Sequence, residues 1–104
     1  MMNIHTASRL WLIKIEMTVQ PEDFPSGDTV GFVNVITWAE SLEHAKNKIS
    51  AYLLTFDWHV IDVGDAEPID REFVYSDEIA EMIERAETNP RAILLGTFYS
   101  YKVN

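Results

Sequence analysis

The sequence predicts an α+β domain, a two-layer sandwich in the order β-β-α-β-α-β with ferredoxin-like layering and both helices on one face of the sheet. Three observations carry this. Residues 9–19 alternate apolar and polar side chains, the period of a half-buried strand. Two later segments place apolar residues at helical spacing behind a serine and an acidic first turn. A length of 104 residues at 47% hydrophobic composition suits one domain over 1–104, with residues 1–8 as a loose N-terminus.

In the first strand, Trp11, Ile13, Ile15, Met17 and Val19 share one face, while Lys14, Glu16 and Thr18 share the other. Residues 20–28 hold Pro21, Pro25 and Gly27 among polar neighbours and read as a loop. Residues 29–39, rich in Val, Phe, Ile and Trp, form a second strand antiparallel to the first. Ser41 then caps a helix with Glu43 in its first turn and an apolar stripe of Leu42, Ala45, Ile49, Tyr52, Leu53 and Phe56. Strand character resumes over 57–65. Residues 64–75 are an acidic connection that Pro68 keeps from being helical, with room for a short strand at 72–75. Ser76 caps the second helix, which buries Ile79, Met82, Ile83 and Ala86, pairs Glu81 with Arg85, and stops at Asn89-Pro90. Residues 91–103 form the last strand.

Two strand–helix–strand connections place the second, third and last strands parallel, and right-handed crossovers put both helices on one face. Leu10 and Leu12 then back onto Trp11 and Ile13, and Tyr99 and Tyr101 back onto Phe98, with no helix to cover them. A second copy is the expected cover, making a homodimer.

Net charge is −9, and its placement is uneven. Residues 57–87 carry eleven acids against Arg71 and Arg85, while acids and bases balance in the remainder. Binding to nucleic acid, which needs clustered Lys and Arg, is disfavoured, and a basic partner protein or a cation is the natural complement. Cysteine is absent, so disulfides, thiolate metal sites and cysteine nucleophiles are excluded. No basic-then-apolar leader opens the chain and no apolar run approaches a membrane span, so a cytoplasmic protein without membrane contact is expected.

Four places bear on chemistry. The helix acids Asp77, Glu78, Glu81, Glu84 and Glu87 are the candidate partner-binding surface. Asp62, Asp65, Glu67 and Asp70 offer oxygen ligands for Ca²⁺ or Mg²⁺, although without EF-hand spacing. Thr97, Tyr99 and Tyr101 share a face with Ile93 and Leu95. With Trp38 and Glu40 at its border, that row reads as a ligand groove or, preferably, as an interface. His59 stands two residues from Asp57 and on the same side of the strand, an acid–base pair in form, but with no nucleophile in attendance it reads as a surface histidine. His5 falls in the N-terminus and His44 in a helix first turn. Phosphate-binding glycine motifs are lacking, no cofactor is implied, and catalysis has no support.

The segments Trp38-Ala39-Glu40-Ser41-Leu42-Glu43, Trp58-His59-Val60-Ile61-Asp62-Val63 and Gly96-Thr97-Phe98-Tyr99-Ser100-Tyr101 resemble those of small uncharacterised bacterial α+β proteins, over about residues 30–101. The resemblance implies a compact oligomeric domain and carries over no functional residue. The expected function is a non-enzymatic, acidic interaction domain of inhibitor, immunity or adaptor type that binds a basic partner. The alternative is a small-ligand or divalent-cation binder using the 62–70 carboxylates and the Thr97/Tyr99/Tyr101 face.

Overall fold

A computed structural model describes residues 8–103. Its elements are β1 (Arg9–Thr18), β2 (Val30–Ala39), α1 (Leu42–Leu54), β3 (His59–Pro68), α2 (Asp77–Glu87) and β4 (Ile93–Tyr101). The chain is α+β, in the β-β-α-β-α-β order read from the sequence. The expected loose N-terminus, His5 included, lies almost wholly outside the described residues.

The four strands form one sheet in the order β3-β1-β2-β4, every neighbouring pair antiparallel. β1 and β2 make an uninterrupted hairpin from Arg9↔Ala39 to Thr18↔Val30, extended by Val19 N–H donating to Thr29 O at 2.9 Å. β4 therefore runs antiparallel to β2, not parallel as expected. The connection carrying α2 leads from one sheet edge to the other, between strands that point in opposite directions. The crossover handedness rule governs parallel strands only and does not apply to it.

The layering follows from this, and it corrects the two-layer expectation. Side chains alternate across a strand, so odd-numbered residues of β1 and β2 face one way and even-numbered residues the other. Ala45, Ile49 and Leu53 of α1 pack with Ile13, Ile15, Met17, Val33 and Val35 on the odd face. Ile79, Met82, Ile83 and Ala86 of α2 pack with Leu10, Leu12, Ile36 and Trp38 on the even face. The helices lie on opposite faces, and the sheet is the middle of three layers. The apolar residues backing β1 and β2, expected to need a second copy, are in large part what α2 covers.

Both serine caps form. The Ser41 hydroxyl accepts from His44 N–H at 3.1 Å and that of Ser76 from Ile79 N–H at 3.3 Å. The α2 stripe is buried as expected. In the first helix Ala45, Ile49 and Leu53 are buried, whereas Leu42, Tyr52 and Phe56 lie at the stripe's exposed margin. α1 ends in a turn where Asp57 takes φ 61°, a left-handed conformation that aspartate tolerates better than most residues. β3 runs on to Pro68 rather than ending near residue 65, and residues 72–75 form no strand.

Candidate functional site

The acids of α2 differ in their surroundings. Its apolar stripe turns Asp77, Glu81 and Glu84 outward, where they are exposed. Glu78 instead faces β4. Its carboxylate accepts the Thr97 backbone N–H at 2.6 Å and the Thr97 hydroxyl at 3.0 Å. Glu87 pairs with Arg71 at 2.5 Å. Among the described residues the other close contacts between acidic and basic side chains are Glu43–Lys46 and the hydrogen-bonded Asp57–His59, so the expected Glu81–Arg85 pair does not close.

The Arg71–Glu87 pair ties the last turn of α2 to the connection that precedes it. That connection is folded on itself: Asp70 N–H donates to the Tyr75 hydroxyl at 2.9 Å, and Asp70 Oδ1 accepts from Glu72 N–H at 2.9 Å. Between it and α2 runs an open groove of about 320 Å³, lined by Ile69, Tyr75, Ala80 and Ile83 and bordered by Asp70, Arg71 and Glu87. Phe73 and Val74 stand at this groove 61% and 90% exposed. Sequence reasoning passed over both. Their signal was an apolar pair inside an acid-rich connection, of which only Phe73 makes an aromatic contact, with Tyr75 at 4.7 Å between ring centres.

The four carboxylates offered as metal ligands do not converge. Asp62, Asp65 and Glu67 lie along an extended strand, at roughly 3.3 Å per residue, and Asp70 is engaged in its own turn. Among the described residues, no group of three or more His, Cys, Asp or Glu side chains stands close enough to share an ion. Residues 64–75, expected to be a connection free to fold around a cation, instead pair with β1 as far as Pro68.

A bulge breaks the row through Thr97, Tyr99 and Tyr101. Register slips between Val33↔Phe98 and Val35↔Leu95, so that Gly96 and Thr97 together oppose Asn34. Ile93 and Leu95 consequently pack on the α1 side, while Thr97, Tyr99 and Tyr101 belong to the α2 side. Trp38 shares that side but not that end. Its indole N–H donates to Ala86 O at 2.8 Å beneath α2, six positions and roughly 20 Å along β2 from Phe32, the residue opposite Tyr99. The Trp38 carbonyl accepts from Lys48 Nζ at 2.5 Å, and partial burial lowers the ammonium pKa below its ordinary value.

Past the end of α2 the even face is open. It presents Tyr99, 58% exposed, with Lys14 Nζ 5.1 Å from the centre of the Phe32 ring. The Tyr101 hydroxyl donates to Glu16, and its ring lies 5.6 Å from that of Phe32. This hydrogen bond raises the phenol pKa, with loss of water and the carboxylate's charge acting the same way. A raised value means the interaction is present below the ordinary tyrosine range and is lost as pH climbs through the folded-state pKa. In an alkaline absorbance titration, Tyr101 is expected to ionise above the ordinary tyrosine range. Glu16→Gln should bring it back toward that range, and a late component that survives in Tyr101→Phe would overturn the assignment.

His59 Nε2 lies 3.1 Å from Asp57 Oδ1 and both are largely exposed, but Asp57 sits in the turn before β3 and not on the strand expected to carry the pair. The same aspartate accepts from Gln20 Nε2 at 3.1 Å, and Asp23 accepts from Trp58 Nε1 at 2.7 Å. These bonds tie the β1–β2 loop to the turn after α1, a structural role. The His44 ring accepts from Glu40 N–H at 3.1 Å at the start of α1. Compared with known proteins, the chain matches no family model, no curated protein and no solved structure.

Proposed function

We propose that this chain is a non-enzymatic interaction domain, of inhibitor, immunity or adaptor type, that docks a basic partner protein on α2 and the connection before it. One observation supports the reading above the others. Phe73 and Val74 project beside an apolar groove at the place where the chain's acid is concentrated. Apolar anchors inside a charged rim are the usual anatomy of a protein interface, with a few desolvated side chains supplying most of the binding energy. Asp77, Glu81 and Glu84, which have no hydrogen-bond or ion-pair partner among the described residues, supply the field that draws a basic surface in.

The test places a photo-crosslinking residue at Val74, with Leu54 on the opposite layer as control, in the cells that make the protein. The expected result is one basic protein joined to position 74 and not to 54. In Glu81→Lys/Glu84→Lys, the association rate with that protein should fall at least about tenfold at low salt and lose most of its salt dependence. Equal crosslinking at both positions, or a rate unmoved by the reversal, would remove the basis of the proposal.

A further inference from the structure

We propose that the partner enters the α2 groove with a single basic amphipathic helix, an apolar residue over Ala80 and a lysine or arginine one turn to either side. This rests on the docking role proposed for α2 and adds the shape and spacing of what docks there. Ala80 is exposed on the groove side of α2, and its small side chain lets a second helix axis come close. Ile83, one turn further on, lines the same side, and Phe73 and Val74 stand across from it as the second wall. A volume of about 320 Å³ suits one or two apolar side chains rather than a whole protein surface.

Charge selects the occupant, and its spacing selects a helix. Asp77 and Glu84 lie three residues before Ala80 and four after it, which sets both beside it on one side of α2. Neither has an ion-pair partner among the described residues. Across the groove Asp70 adds a third carboxylate, whereas Arg71, the base on that rim, is already matched by Glu87 at 2.5 Å. At 1.5 Å per residue, Asp77 and Glu84 stand about 10.5 Å apart along the helix axis. An extended segment rises about 3.3 Å per residue, so bases at that separation would be three residues apart and point to opposite sides. On a helix, residues i and i+7 share one face with i+3 and i+4 between them. A helix therefore presents two bases and an apolar anchor to α2 together.

The probe is a labelled peptide of about fifteen residues, otherwise alanine and glutamine, with lysine at i and i+7 and leucine at i+3 and i+4. Its control has the same composition with both lysines moved to the opposite face. Fluorescence anisotropy at low salt should find the first peptide bound in the micromolar range and the control at least about tenfold more weakly. Ala80→Leu fills the groove from an exposed helix position and should weaken the first peptide by a similar factor. Glu84→Lys should weaken it too, and binding should return when one of the two lysines becomes glutamate, the position that recovers giving the direction of the bound helix. Equal binding of the two peptides, indifference to Ala80→Leu, or recovery with neither glutamate peptide would each overturn the helix assignment. No peptide binding while Val74 still crosslinks to a basic protein would overturn it as well and leave the docking role standing. Register-dependent binding with no protein captured at Val74 would support the helix assignment and remove the docking role in those cells.

Discussion

Replacing Ile49 by alanine is expected to cost about 2–5 kcal/mol, a large part of the ~5–15 kcal/mol that holds a domain of this size together. Ile49 sits at the middle of the α1 stripe with no exposed surface, in one cluster with Ile13, Ile15, Val33 and Val35. Removing its outer carbons takes apolar contact from both central strands at once and leaves a cavity that the hairpin, paired without interruption, is poorly able to close. At roughly 4–8 °C per kcal/mol, the melting temperature should fall by about 10 °C or more. Leu54→Ala provides the internal reference. It lies on the same helix but is 54% exposed, and should stay within about 0.5 kcal/mol of the parent. Equal losses in the two variants would mean that α1 does not dock through the face described.

What made α1 legible is what made the elements legible in general. Ser41 and Ser76 announce helix starts by a local hydrogen bond that needs no tertiary context, and the alternation of β1 survives because one face is covered along its length. The arrangement of the elements was less legible, for a reason that sits in β4. Nothing in residues 93–101 states whether the strand runs parallel or antiparallel to β2. Direction depends on which edge the acidic connection reaches, and α2 follows the direction. Leu10 and Leu12 did signal a covered second face. Their apolar character could not say whether a helix of the same chain or another molecule covered it, and here it is α2.

The candidate site divides along the same line. Asp77, Glu81 and Glu84 are outward because the buried stripe of α2 leaves them no other direction, so their exposure follows from spacing alone. Glu78 is drawn onto β4 by Thr97 and Glu87 is held at the surface by Arg71, residues nineteen and sixteen positions away, and no local pattern foretells that. The bulge at Gly96–Thr97 is likewise invisible to a period-two reading. It shifts the parity of everything after it, which is why Leu95 and Tyr99 look like neighbours in sequence and lie on opposite faces of the sheet.

Gly31→Ala tests the β2–β4 register most directly. A strand glycine replaced by alanine would ordinarily gain from the lost freedom of the unfolded chain. Here a Cβ would sit 2.6 Å from two ring carbons of Phe98 and 2.6 Å from the Tyr99 carbonyl oxygen. The ring is stacked on Phe24 with centroids 4.5 Å apart, so moving it disturbs the β1–β2 loop. The carbonyl belongs to the backbone of β4 and moves only with the strand. The expected cost is about 1–3 kcal/mol, with faster amide exchange over Phe98–Tyr101 while β1 and β3 keep their protection. Gly64→Ala is the counterpart. Its Cβ would meet Lys14 O at 3.5 Å, an ordinary contact, so that variant should melt with the parent or slightly above it. If the two alanine variants melt together, Phe98 and Tyr99 do not cross Gly31, and the pairing that places Tyr99 on the open edge falls with it.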